Sequence, residues 1–158
     1  DSAVTSTLCA KTGFPVLCVE MPIHQGENQV SRGKEHIAQL KERFNDITSI
    51  EVNLTSTFED FKTVVPQIED SATVSLSLAN TRARLRMTTL YYFAGLHGYL
   101  VAGTGNKVED FGIGFFTKYG DGACDILPLG DLYKFEVREI ARVLGIPEQI
   151  IKKRFNIT

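Results

Sequence analysis

At 158 residues with 43% hydrophobic side chains, the chain suits one domain with a substantial core. Seventeen basic residues against nineteen acidic ones leave a formal charge of −2, so no basic excess points to nucleic acid as a main partner. No run of about 18 apolar residues would span a bilayer, and Cys9, Cys18 and Cys124 lack zinc-site spacing. The opening residues do not read as a secretory signal, and reduced thiols in a cytoplasmic protein are the simplest reading.

Asp1 leads directly into a helix over residues 2–11. A doubly wound sheet places a strand and a phosphate-binding turn just before such a helix. Residues 14–19 form a short apolar run, fitting a strand buried on both faces. After a polar loop over 22–29, Ile37, Leu40 and Phe44 follow helical spacing across 30–44. Ile50, Val52 and Leu54 alternate with polar neighbours and read as a strand. Residues 56–65 read as a helix that Pro66 ends. A long helix is expected over 75–97, its arginine-rich turns giving way to Leu90-Tyr-Tyr-Phe-Ala94. Residues 99–102 read as another strand, and the loop from Gly103 to Leu129 shows no secondary structure of its own. Val137, Ile140, Ala141 and Leu144 mark a last helix with Asp131 as its N-cap, stopped by Gly145-Ile-Pro147.

Strands separated by helices argue for an α/β fold, a doubly wound parallel sheet with helices on both faces. Its first strand and phosphate turn are missing ahead of Asp1. The expected organisation is one domain over 1–153 and a short tail over 154–158 that need not be contiguous with it. Both ends read as those of a fragment, or of a chain from which flexible segments have dropped out.

Four segments carry chemistry. Asp1-Ser2 opens a helix, whose free N–H groups and positive dipole end favour anions. An aspartate there repels phosphate unless Mg²⁺ lies between them; the plain alternative is a helix cap. Gly103-Thr-Gly-Asn-Lys-Val-Glu-Asp110 offers a small residue, a hydroxyl and a carboxylate to a nucleotide with its metal, or a turn closed by Thr104 and Asn106. Gly114-Phe-Phe-Thr-Lys-Tyr-Gly-Asp-Gly122 joins two phenylalanines to Lys118, so that rings can stack on a heterocycle while the cation holds an anionic substituent. In Asn80-Thr-Arg-Ala-Arg-Leu-Arg-Met87, Arg82 and Arg86 share a helix face and Arg84 lies on another. Three arginines without matching acids suit an anionic ligand, a partner subunit or a solvated face.

Together these segments resemble the ammonia-dependent NAD synthetases, within the N-type ATP pyrophosphatases. The resemblance spans residues 1 to about 153 and implies an adenine-nucleotide alpha-hydrolase-like fold. It implies ATP-dependent amidation of deamido-NAD to NAD by ammonia, through an adenylated intermediate, with release of AMP and pyrophosphate. Of the family's Ser-Gly-Gly-x-Asp-Ser turn, only Asp1-Ser2 is present. Carried over residue by residue, Asp1 and Glu109 match ligands of Mg²⁺. Ser2, Thr104 and Lys134 match ATP contacts, and Arg84, Lys118 and Asp125 match deamido-NAD contacts. Counted from Thr104 the family's acid falls on Glu109, and counted back from Lys118 it falls on Asp110; Glu109 is preferred, with Asp110 in reserve. No covalent nucleophile is required, and Cys124 has no assigned role. The resemblance also implies a homodimer, with no membrane or nucleic acid among its partners. It further calls for a threonine after the final helix and a histidine–lysine pair that these residues do not match. Two alternatives stay open: another ATP pyrophosphatase with a different acceptor, or a non-catalytic adenine-nucleotide-binding module. A glutamine-fed synthetase with a separate amidase domain is a further form.

Overall fold

Among the described residues two short strands make the sheet, β1 (Val16–Glu20) and β2 (Ile47–Glu51), connected by the helix α2 (Glu27–Arg43). The strands pair in parallel from Val16 opposite Ile47 to Glu20 opposite Glu51, as a strand–helix–strand connection requires. The computed structural model describes residues 1–25, 27–66 and 72–151, without the side chains of 27–30. The boundary expected near 153 and the tail beyond it lie outside these residues.

Helix α1 (Ser2–Lys11) lies where the sequence places it, as do α3 (Thr55–Val64) and the 26-residue α4 (Ala72–His97), to within a few residues. Helix α1 joins two cores. Ala3 and Val4 pack with Leu129, Val137, Ala141 and Leu144, whereas Ala10 packs with Leu40 of α2 and Ile47 of β2. A third cluster, Ile23, Leu54 and Phe58, is covered by Leu78 and Leu85 of α4, and a fourth joins Met87 and Ala94 to Val101. The class is the expected α/β, with a parallel sheet and flanking helices.

Four local expectations are corrected. The second strand begins and ends earlier than the Ile50–Val52–Leu54 alternation suggests. Asn53 Oδ1 accepts from the Thr55 amide and turns the chain, so Leu54 leads α3 and is buried there. Residues 99–102 do not form a strand: Ala102 makes one parallel bridge, to Ile126, and Tyr99 and Leu100 are exposed. A strand needs a ladder, and among the described residues this segment has one bridge and no run of paired residues beside it. The long loop is not wholly irregular, because Val108–Gly112 forms a π-helical turn closed by Ile113 N donating to Val108 O at 3.0 Å. Such turns recur at functional sites.

The last correction concerns α5 (Lys134–Val143), whose N-cap is Tyr133. The Tyr133 amide donates to the Glu136 carboxylate at 2.7 Å, while Asp131 pairs with Lys107 at 3.4 Å in solvent. Lys134 thereby becomes the first helical residue. Gly145, with φ of 71°, ends α5 in the left-handed region that favours glycine, and a single further turn, α6 (Glu148–Ile151), follows.

Candidate active site

Three distant segments meet at one ammonium group. Lys134 Nζ donates to Asp1 Oδ1 and Oδ2 at 2.8 and 2.7 Å and to Glu109 Oε1 at 2.9 Å. The side chains are largely sheltered, at 30% exposure for Lys134, 12% for Asp1 and 15% for Glu109. Two carboxylates facing one ammonium leave a negative balance, which favours the arrival of another cation. Each residue sits at an element's edge: Asp1 is the N-cap of α1, Glu109 lies in the π turn, and Lys134 begins α5. Packing of Ala3 and Val4 against Val137 and Ala141 sets the first and last of these side by side.

Asn106 is the residue whose weight the sequence does not reveal. It is wholly buried, and its Nδ2 donates to Asp1 Oδ2 at 2.7 Å. Its Oδ1 accepts from the amides of Val108 at 3.1 Å and Glu109 at 3.2 Å. One side chain thus closes the π turn and fixes both carboxylate-bearing segments. The turn-closing half of that role was readable, since Asn106 is offered with Thr104 as a side chain that closes a turn; the Asp1 half needed the fold.

Asp1 occupies the N-cap position, but a side-chain cap does not account for its carboxylate. Its carboxylate makes no cap bond to α1 and faces Lys134 and Asn106 instead. Ser2 and Thr104 are both exposed, at the start of α1 and between Gly103 and Gly105. Asp110, the reserve acid, lies with its carboxylate against Gly105 rather than on Lys134. Burial raises its pKa above the ordinary value, with Glu109 and Asp121 adding repulsion. Among the described residues, no three His, Cys, Asp or Glu side chains gather as a metal-binding group. The donor set is a carboxylate pair. That pair suits Mg²⁺, which commonly takes one or two carboxylates and completes its shell with substrate phosphates and water.

The second constellation lies along α4. Asn80 Oδ1 accepts from Thr117 Oγ1 at 2.9 Å, Arg84 Nε donates to the Lys118 carbonyl at 3.0 Å, and Tyr91 donates to Asp125 Oδ1 at 3.1 Å. These positions recur at helical spacing on one face. Asp125 Oδ2 also accepts from the Val101 amide at 2.7 Å. Arg84, Lys118 and Asp125, expected together, are thus held in one segment-on-helix arrangement. Arg82 and Arg86 face elsewhere: Arg82 lies over the Phe58 ring at 5.1 Å, and Arg86 Nε donates to Met21 O at 3.0 Å. Those two arginines therefore tie α4 to the rest of the fold. Phe115 and Phe116 stand 53% and 48% exposed, against a core role for the aromatic string. Tyr119 holds a left-handed φ of 63° beneath the Lys118 ammonium, 5.0 Å from its ring centroid. The two constellations are joined by a 2.7 Å bond from Phe115 N to Glu109 O.

The profile of the NAD synthase family matches residues 1–155. The chain belongs to that family. The NAD synthase relatives include the NH(3)-dependent NAD(+) synthetase of Mesoplasma florum, 45% identical over 157 residues, covering 97% of this chain and 60% of the relative. The chain therefore spans about three fifths of that relative's length. Among NAD synthase-like solved structures, the NH3-dependent NAD synthetase of Campylobacter jejuni superposes with a TM-score of 0.82 at 33% identity, over 99% of this chain and 64% of its own. The NMN synthetase of Francisella tularensis gives 0.83 at 33% identity, over 96% of this chain and 60% of its own.

Proposed function

We propose that the chain carries the nucleotide and acceptor sites of an ammonia-dependent NAD synthetase, amidating deamido-NAD with ATP and releasing AMP and pyrophosphate. One observation carries the reading. Asp1 and Glu109, expected from separate motifs to serve the metal, both lie within hydrogen-bond distance of the ammonium of Lys134, expected to serve ATP.

Asp1 and Glu109 would hold Mg²⁺, which when bound supplies Lewis-acid stabilisation of charge on the phosphates. Ser2 and Thr104, exposed beside that pair in sequence, would add hydroxyl donors to ATP. Lys134 would offset charge on the leaving pyrophosphate. On the acceptor side, Arg84 spends its Nε–H on the Lys118 carbonyl and keeps its charge. Arg84, Lys118 and Asp125 would align the deamido-NAD, so that the nicotinate carboxylate attacks the α-phosphate of ATP. Ammonia then displaces AMP from the acyl adenylate, leaving the amide. The contribution of these side chains is alignment and charge compensation, without a covalent enzyme intermediate. The same reading takes the working form as a homodimer in the cytoplasm, and exposed Tyr92 and Leu96, four apart on α4, give a partner an apolar footing.

The test is NAD formation with deamido-NAD, ATP, Mg²⁺ and ammonia supplied together and omitted in turn. Product that needs all four supports the proposal; ATP binding without turnover in the longest available chain counts against it. A second acceptor has the Francisella tularensis structure behind it, since that NMN synthetase superposes as well as the NAD synthetase does. Running the assay with the nicotinate mononucleotide alongside deamido-NAD separates the two.

A further inference from the structure

Lys134 Nζ lies within hydrogen-bond distance of three carboxylate oxygens, Asp1 Oδ1, Asp1 Oδ2 and Glu109 Oε1. These are the oxygens that a divalent cation would use. Both cations cannot occupy them together. From this competition we propose that Lys134 is a built-in counter-ion, which a divalent cation displaces from Asp1 and Glu109. Nucleotide phosphates give the displaced ammonium a new anionic partner, so cation and nucleotide enter as a coupled pair. The proposal rests on the reading of Asp1 and Glu109 as the cation ligands.

The pocket does not depend on Lys134 for its shape. Buried Asn106 holds Asp1 Oδ2 and, through the amides of Val108 and Glu109, the start of the π turn. Removing the ammonium therefore leaves the Asp1 carboxylate held by Asn106 and the Glu109 backbone in place, with the negative charge of the pair increased. Such a pair gains affinity for any cation of suitable size. The apparent affinity of a site is reduced by the fraction of molecules in its competent state. If the lysine-bound arrangement holds about 90–99% of the free protein, divalent affinity is depressed about 10- to 100-fold.

The experiment is Mn²⁺ binding to nucleotide-free protein, read from the electron paramagnetic resonance signal of the free ion. Expected is weak binding by the unaltered chain and binding at least about tenfold tighter by Lys134→Met, a gain that added Glu109→Gln abolishes. Lys134→Gln, which keeps a donor for the carboxylates, guards against a failure to fold, and it should show a smaller gain in the same direction. Equal Mn²⁺ affinity in the unaltered chain and Lys134→Met, both lost with Glu109→Gln, overturns the displacement while leaving the carboxylates as ligands. No Mn²⁺ binding by any form, with or without α,β-methylene-ATP, overturns the displacement and the ligand reading together.

Discussion

At the scale of single residues, the two neighbouring acids of the π turn are separated by what they face. Glu109 shares an ammonium with Asp1, whereas Asp110 lies against Gly105. Glu109→Gln should therefore lower the Mg²⁺-dependent rate at least about tenfold more than Asp110→Asn, a difference of roughly 1.4 kcal/mol in barrier. Steady-state rates across a Mg²⁺ titration check this, and the reverse order would transfer the ligand role to Asp110. Asn106 is fully buried and serves both carboxylate segments. Asn106→Ala strips partners from buried groups, at a cost of about 1–3 kcal/mol. Denaturant unfolding should show that loss, and turnover should fall with it. The three residues that converge were legible as candidates, because Asp1, Glu109 and Lys134 each stand in a recognisable string. What the string does not encode is that one lysine serves both acids, since that contact crosses 133 positions.

At the scale of elements, α4 is the spine on which the 114–125 segment is mounted. A Cβ on Gly120 would lie 2.9 Å from Ala83 Cβ, closer than a real contact allows. Gly120→Val should lift the segment from the helix, raising KM for deamido-NAD about tenfold, or roughly 1.4 kcal/mol, with ATP binding kept. Equal loss for both substrates would show that the segment serves the whole site. α4 was readable as a long helix even though Arg82, Arg84 and Arg86 alternate with Ala83, Leu85 and Met87, a spacing of two rather than three to four. The supposed strand at 99–102 was not readable in the same way. Four apolar residues satisfy a strand pattern alone, yet a strand is decided by its ladder, and here the partner is a single residue, Ile126. The start of α5 likewise depended on a competition between two candidate caps. Asp131 has the better cap chemistry, but the Tyr133 amide bonded to Glu136 fixes the entry, and this moves Lys134 to the helix's first position.

For the molecule as a whole, α1 is shared between the two cores, and its packing on α2 includes a buried histidine. His36 is 8% exposed, with Nε2 2.9 Å from Ser6 Oγ. Burial, then the nearby Arg43 charge, lowers its pKa below 6.5. The unfolded chain consequently binds more protons than the folded one as pH falls below about 6.5. Stability from this group is full above that pH and is lost as pH drops towards the folded pKa. Melting temperature should therefore fall between pH 7.5 and 5.5, and His36→Gln should flatten that fall; a parallel profile would remove His36 from the cause. The α/β class was legible from alternation of strand and helix patterns, while the division into four small cores was not, because it follows from which faces meet.

The bond between Asp1 and Lys134 also has a temporal consequence. It closes a loop of 133 positions, while α4 and the strand–helix–strand unit are built from closer neighbours. Ordering so long a loop costs entropy that local helices do not pay. During refolding from denaturant, far-ultraviolet circular dichroism should recover first and fluorescent-nucleotide binding afterwards. The lag between those two signals times the meeting of the first residue with the start of α5, and simultaneous recovery would mean that these two segments find each other as early as the helices form.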